Sequence, residues 1–225
     1  CMEFLYLLEK IRVPILNEFM LLITQFGEET AFLAVALIVF WCVDKHKAYF
    51  ILSVGFIGTL INQFMKLWFR IPRPWVLDEN FTILEQAREA ASGYSFPSGH
   101  TQSAVGTFGG IAVTAEKKWI RIVAVIIAVA VPFSRMYVGV HTPLDVLVAA
   151  ATALLLLFVL KPVILKEKNN SVGVVLCIMS LMAVTFLCFV EFYHFPEDID
   201  PHNLASGYKN AYTLLGSLAG FIVVY

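Results

Sequence analysis

Apolar residues run along this chain in long blocks broken by short polar stretches, with neither strand-like alternation nor a narrow helical stripe. About 20 apolar residues suffice to cross the hydrocarbon core of a bilayer, and the blocks at 29–43, 48–69, 99–115, 119–138, 143–163, 171–192 and 207–225 approach or reach that length. They predict spanning helices. The stretch 4–26 differs, because Glu9, Lys10, Arg12, Pro14 and Glu18 punctuate its apolar residues. It predicts an amphipathic helix lying in the interface within residues 1–28. The expected fold is therefore all-α: a multi-pass transmembrane helical bundle of six to seven spans plus an N-terminal interfacial helix, forming a single domain over residues 1–225.

Composition agrees with this pattern. Of 225 residues, 59% are hydrophobic and 15% charged, and the mean hydropathy is +0.78, well above the roughly 45–50% apolar share of soluble domains. The formal net charge of −1 carries no basic surplus of the kind that binds nucleic acid. Cys42, Cys177 and Cys188 sit within apolar stretches at spacings that suggest neither a disulfide framework nor a zinc site. They are expected to be buried packing residues. Cys1 stands before Met2 as an added residue would, no signal-peptide pattern follows it, and the abrupt end in GFIVVY suggests a chain that continues past Tyr225.

Charge in the short loops sets an orientation. Lys45 and Lys47, then Lys117, Lys118 and Arg121, then Lys161, Lys166 and Lys168 collect in alternate turns, which marks that side as cytoplasmic. The opposite loops, 70–98 and 193–206, carry Asp78, Glu79, Glu85, Glu89, Glu197, Asp198 and Asp200. Alternation of spans then brings three polar stretches to this outer side: KLWFRIPRP at 66–74, PSGH at 97–100 and SRMYVGVHTPLD at 134–145. Ionisable residues at such positions are expensive and mark functional sites by default.

The residue types fit phosphoester chemistry, which needs donors for non-bridging oxygens, a nucleophile and a proton for the leaving oxygen. Lys66, Arg73 and Arg135 supply cationic donors, and an arginine fork meets two phosphate oxygens at once. Ser98 and Gly99 lie where a helix begins, so free N–H groups face an anion there. His141 and Asp145 are four residues apart, one helical turn on the same face. The carboxylate can then fix the tautomer of a nucleophilic imidazole, which leaves His100 for the departing oxygen.

Together these blocks resemble the type 2 phosphatidic acid phosphatase family, membrane lipid phosphatases within the superfamily of the vanadium-dependent haloperoxidases. The resemblance covers residues 48–163, which makes them the expected catalytic core. It implies His141 as nucleophile, Asp145 as its partner, His100 as acid, and Lys66, Arg73, Ser98, Gly99 and Arg135 as the phosphate cradle, with no metal or other cofactor. The implied activity is hydrolysis of a lipid phosphate or diphosphate, of polyprenyl diphosphate or phosphatidate type, through a phosphohistidine. The implied partners are that lipid and the bilayer. The expected location is a bacterial plasma membrane with the site on the extracytoplasmic face. A non-hydrolytic lipid-phosphate carrier and a vanadate-dependent peroxidase are the alternatives, and complete catalytic blocks in a membrane chain disfavour both.

Each block also has an ordinary reading. Arg70 at a span end fits snorkelling to the head groups, and PSGH alone is a turn with a serine cap. His46, His194 and His202 read as solvated loop residues. Gly106 with Gly110, and Gly55 with Thr59, predict close helix packing. Trp41, Trp68, Trp75 and Trp119 near span ends predict an aromatic belt, with Trp75 also a candidate for the substrate entrance.

Overall fold

A computed structural model describes residues 2–166, 171–197 and 199–224, so that Cys1, residues 167–170 with Lys168 among them, Asp198 and Tyr225 lie outside the described residues. Among the described residues the chain is entirely helical apart from turns and loops. In chain order the helices are α1 (Met2–Lys10), α2 (Pro14–Gln25), α3 (Glu29–Cys42), α4 (Lys45–Phe69), α5 (Pro74–Leu77), α6 (Gly99–Thr114), α7 (Lys118–Tyr137), α8 (Pro143–Leu165), α9 (Ser171–Phe192) and α10 (Pro201–Val224). Four of them are long and apolar enough to cross a membrane: α4 with its extension through α5, α7, α8 and α9. Helices α2 and α3, bent by 53° across a short break, make a fifth when counted as one broken span.

The N-terminal region departs from a single interfacial helix. Its helix stops at Lys10 and restarts at Pro14, because proline forces the preceding residue out of the helical region and suits the first helical position. The freed turn sends Arg12 to the carbonyls of Thr82 (2.8 Å) and Tyr137 (3.0 Å), while Tyr6 donates to Asp78 at 2.8 Å. Thus α1 and the turn after it tie down the start of the long loop between α5 and α6. Helix α2 packs on the C-terminal end of α7, where Tyr137 Oη donates to Asn17 at 2.8 Å.

Helix α6 is the centre of the bundle, in contact with α3, α4, α7 and α8. The small-residue stripe predicted at Gly106 and Gly110 faces α4: a Cβ at Gly110 would lie 2.8 Å from Ile51 Cγ1, and one at Gly106 would lie 3.2 Å from Val54 Cγ1. Only hydrogen fits at Gly110. The largest buried cluster joins α4, α8, α9 and α10 through residues such as Ile51, Leu157, Met179 and Leu218. The outside of the bundle is equally apolar, with Leu147, Leu155, Phe158 and Leu181 all bare, as expected where lipid replaces water.

That outside also corrects the cysteine expectation. Cys42, Cys177 and Cys188 are exposed, because an apolar stretch in a bilayer is apolar on both its lipid face and its packed face. Trp41, Trp68 and Trp119 are likewise exposed near helix ends, the geometry of a belt. Trp75 instead has the guanidinium groups of Arg88 and Arg73 within 5.1 and 5.9 Å of its ring centre. Two of the basic turns meet at one end of the bundle, where Lys47 pairs with Glu116 at 3.4 Å.

The Gly110 contact generates a paired expectation. Gly110→Val should destabilise by about 1–3 kcal/mol through overpacking against Ile51, whereas Gly216→Ala in α10, which meets nothing within 4 Å, should be neutral or stabilising. Thermal unfolding in detergent micelles checks both, and equal shifts would contradict the packing assignment.

Candidate active site

Each polar stretch is set in place by a helix terminus. Helix α4 ends at Arg70, whose φ of 49° is the left-handed conformation of a helix stop, and Pro72 and Pro74 prevent continuation. Lys66 therefore occupies the last turn of α4, and Arg73 caps α5. Ser98 is the N-cap of α6, its Oγ accepting from the Thr101 N–H at 3.4 Å. Helix α8 opens with Pro143 at its first position and a capping box between Thr142 and Asp145. Backbone bonds stitch the stretches together: Ser95 N–H donates to Ile71 O at 2.9 Å and Ser98 N–H to Asp145 O at 3.1 Å.

Arg73 is buried, and an unpaired buried cation costs several kcal/mol. Its guanidinium is heavily partnered, with Nε donating to Gly93 O (3.1 Å), Nη2 to Ser92 O (2.8 Å), and Nη1 to Val140 O (3.0 Å) and to His141 Nε2 (2.9 Å). Lys66, also buried, donates to the Tyr94 carbonyl. Arg135 is fully buried and donates from Nη1 to Thr24 Oγ1 at 2.7 Å. Its Nε and Nη2 have no partner among the described residues.

Arginine can only donate, so His141 Nε2 must be the acceptor in this contact and the proton of the neutral ring sits on Nδ1. Nδ1 lies 3.5 Å from Asp145 Oδ2. That carboxylate oxygen also accepts from Ser95 Oγ (2.6 Å) and from the Thr142 N–H (2.8 Å). Asp145 is thus both helix cap and neighbour of the imidazole, with Ser95 holding it in register. Burial, then the nearby Arg73, Arg135 and Lys66 cations, push the His141 ring well below the ordinary histidine value. A hydrogen bond with the Ser95 backbone opposes them.

These groups border a cavity of about 440 Å³ at the end of the bundle that carries the loop between α5 and α6. Of the eight residues expected in the site, Lys66, Arg73, Gly99, His100 and His141 line it. Ser98, Arg135 and Asp145 are fully buried behind that wall. The imidazole Nε2 of His100 is buried with no partner among the described residues, and the ring belongs to the cavity wall. Gly27, in the break between α2 and α3, backs His100: a Cβ there would lie 2.9 Å from the histidine Cβ.

Three stretches from separate helices thus meet with their charged groups around one cavity. The profile of the PAP2 superfamily matches residues 46–169. The phosphatidylglycerophosphatase B of Bacillus subtilis is 34% identical over 164 residues, covering 67% of this chain and 76% of that protein. An undecaprenyl-diphosphatase of Sulfolobus acidocaldarius is 30% identical over 137 residues, covering 60% and 65%. The crystal structure of a transmembrane PAP2 type phosphatidylglycerolphosphate phosphatase from Bacillus subtilis superposes with a TM-score of 0.62 at 32% identity, over 73% of this chain and 84% of that one. The chain belongs to the PAP2 superfamily.

As a PAP2 protein it is a phosphatase and therefore a hydrolase, and its matched region holds all three polar stretches. Helices α9 and α10 lie beyond that region. Sequence reasoning missed several polar residues of the site. The side chains of Asn62, Gln102 and Ser103 carry buried atoms without partners and line the cavity; each is a polar residue inside an apolar block, the signal that flagged Lys66. Ser95 and Thr24 had no such signal, since one lies in a loop and the other joins Arg135 across 111 positions.

The lowered His141 pKa has a sign that kinetics can read. With His141 as the expected nucleophile, its neutral ring is the form that reacts, and the acid limb of kcat/KM should fall below the ordinary value of 6.5. Arg73→Gln removes a cation that disfavours the imidazolium, and the limb measured on its residual activity should move upward. An unmoved limb would contradict this electrostatic account.

Proposed function

We propose that this PAP2 phosphatase removes the terminal phosphate from a lipid phosphate or diphosphate at the extracytoplasmic face, through a phosphohistidine on His141. The observation that carries the reading is the His141 ring itself: Nε2 presents a lone pair to the cationic wall formed by Arg73 and Lys66, while Nδ1–H faces the Asp145 side. Attack of Nε2 on phosphorus forms the P–N bond as the P–O bond to the lipid breaks. His100, which takes up a proton once the anionic phosphate is seated beside it, gives that proton to the departing oxygen. The neutral His100 then takes a proton from water, whose oxygen attacks phosphorus and releases phosphate and free His141.

Lys66 and Arg73, with the first turn of α6 at Gly99, neutralise the phosphoryl oxygens, and Ser98 and Arg135 support them from behind the wall. A smaller apolar pocket of about 140 Å³ lies alongside, walled by Phe32, Leu52, Phe56, Met179 and Phe221. It shares Glu29, Phe32, Thr59, Asn210 and Thr213 with the polar cavity, which fits a lipid chain entering sideways between α3, α4 and α10. The named activities of the two relatives favour a glycerophospholipid phosphate or a polyprenyl diphosphate as substrate.

We further propose six to seven spans in a bacterial plasma membrane, with α1 lying in the interface and residues 48–163 as the catalytic core of a single domain. The basic turns at Lys45–Lys47 and Lys117–Lys118, which collect at the opposite end, support an outward-facing site. Phosphate release from phosphatidylglycerophosphate, phosphatidate and a polyprenyl diphosphate, measured with and without chelator, tests the reading. Activity should persist in chelator, and His141→Ala should abolish it while leaving the unfolding temperature unchanged. Substantial turnover by His141→Ala would sink the mechanism.

A further inference from the structure

Outside the catalytic cavity lies a larger vestibule of about 1140 Å³, bordered by the outer loop and the first half of α10. The residues that belong to both walls mark the opening between the two spaces, and they are Arg73, Ser92, Lys209 and Asn210. All four carry side-chain hydrogen-bond donors and none is a carboxylate. Acids line both spaces elsewhere, Glu28 and Glu29 in the cavity and Glu89 and Asp200 in the vestibule. A negatively charged group crossing between the spaces is therefore best held at this opening.

Of the two cations there, Arg73 is committed to the carbonyls of Ser92, Gly93 and Val140 and to His141. Lys209 is exposed and makes no hydrogen bond or ion pair among the described residues. The position of Lys209 is nonetheless fixed by its helix. Gly207, two residues earlier, lets α10 press onto α4, where a Cβ would lie 2.8 Å from Leu67 Cδ1. Leu67 adjoins Lys66, and Lys66, Gly207 and Asn210 wall one small gap between the helices. An ammonium on a flexible stem of four carbons, mounted on a helix held that close, can reach an anion seated beside the phosphoryl group.

We propose that Lys209, assisted by Asn210, forms a second anion subsite that binds the phosphate group of the substrate which is not cleaved. This inference rests on the phosphatase reading above and names the substrate class it favours: lipids bearing two phosphates, whether joined as a diphosphate or separated as a phosphodiester and a terminal phosphate. Helix α10 lies outside the stretch matched by the PAP2 profile, so the subsite is an addition to the cradle and not a part of it.

The test compares wild type, Lys209→Ala and Lys209→Arg on farnesyl diphosphate, phosphatidylglycerophosphate and phosphatidate. Lys209→Ala should lower kcat/KM about tenfold on the first two, mainly through KM, which is the worth of one charge-assisted hydrogen bond. The loss on phosphatidate should be several-fold smaller, and Lys209→Arg should recover most of the activity. A loss confined to one of the two-phosphate lipids would restrict the subsite to that geometry, and equal losses on all three, or none, would overturn it. Binding of inorganic pyrophosphate and inorganic phosphate, read as thermal stabilisation, separates the two layers of the argument. Wild type should prefer pyrophosphate and Lys209→Ala should lose that preference; no preference in wild type overturns the subsite. Pyrophosphate binding that depends on Lys209, in a protein releasing phosphate from no lipid, would instead refute the phosphatase reading and leave the subsite standing.

Discussion

The Arg73 guanidinium is the joint on which the site end of this protein depends. It sits after the end of α4, yet its bonds run to the backbone of the loop between α5 and α6 at Ser92 and Gly93 and to the turn before α8 at Val140 and His141. Three chain segments far apart in sequence are held by one planar cation. Burying that charge is tolerable because carbonyl oxygens and an imidazole lone pair surround it, and the same burial gives it strength toward an anion. Structure and chemistry here make one demand, a desolvated guanidinium, and the loop between α5 and α6 exists in its observed form to supply the acceptors.

A second layer of organisation lies behind the cavity wall. Ser95 and Thr142 compete with the imidazole for one oxygen of Asp145, so the aspartate that orients His141 is itself oriented by the helix it caps. Thr24 does the same for Arg135 from a helix that belongs to none of the three polar stretches. The ends of the chain are thereby drawn into the site: α2 reaches Arg135 and α10 reaches the rim. Both elements lie outside the stretch that the PAP2 profile matches.

Much of this was legible in the sequence, for a physical reason. A bilayer demands long apolar runs, so helices α4, α7, α8 and α9 fall within a few residues of the blocks read from the pattern, and alternation alone puts Lys66, His100, Arg135 and His141 at one end. The same solvent defeats other inferences. Cys177 and Cys188 look like core residues and face outward, since apolarity in lipid no longer reports burial. The break at Phe26–Glu28 and its contact with His100 were hidden because Pro14, the visible punctuation, starts α2 and the bend comes a full helix later. Lys209 lies within an expected apolar span, and only the close approach of α10 at Gly207 brings it to the wall of the cavity that Lys66 also lines.

Helix α6 gives the arrangement its mechanical character. Its glycines admit Ile51 and Val54 on one side, and Leu157 of α8 comes within 2.6 Å of where a Cβ of Gly109 would stand. A post wedged on several sides cannot slide or rotate without steric conflict, so His100 at its tip is a fixed tool. The walls formed by α3 and α10 are peripheral by comparison. On the proposed lateral route, traffic of lipid in and out belongs to the flanks of the bundle and bond cleavage to its axis, which allows the two to run on separate timescales and to be tuned by separate parts of the chain.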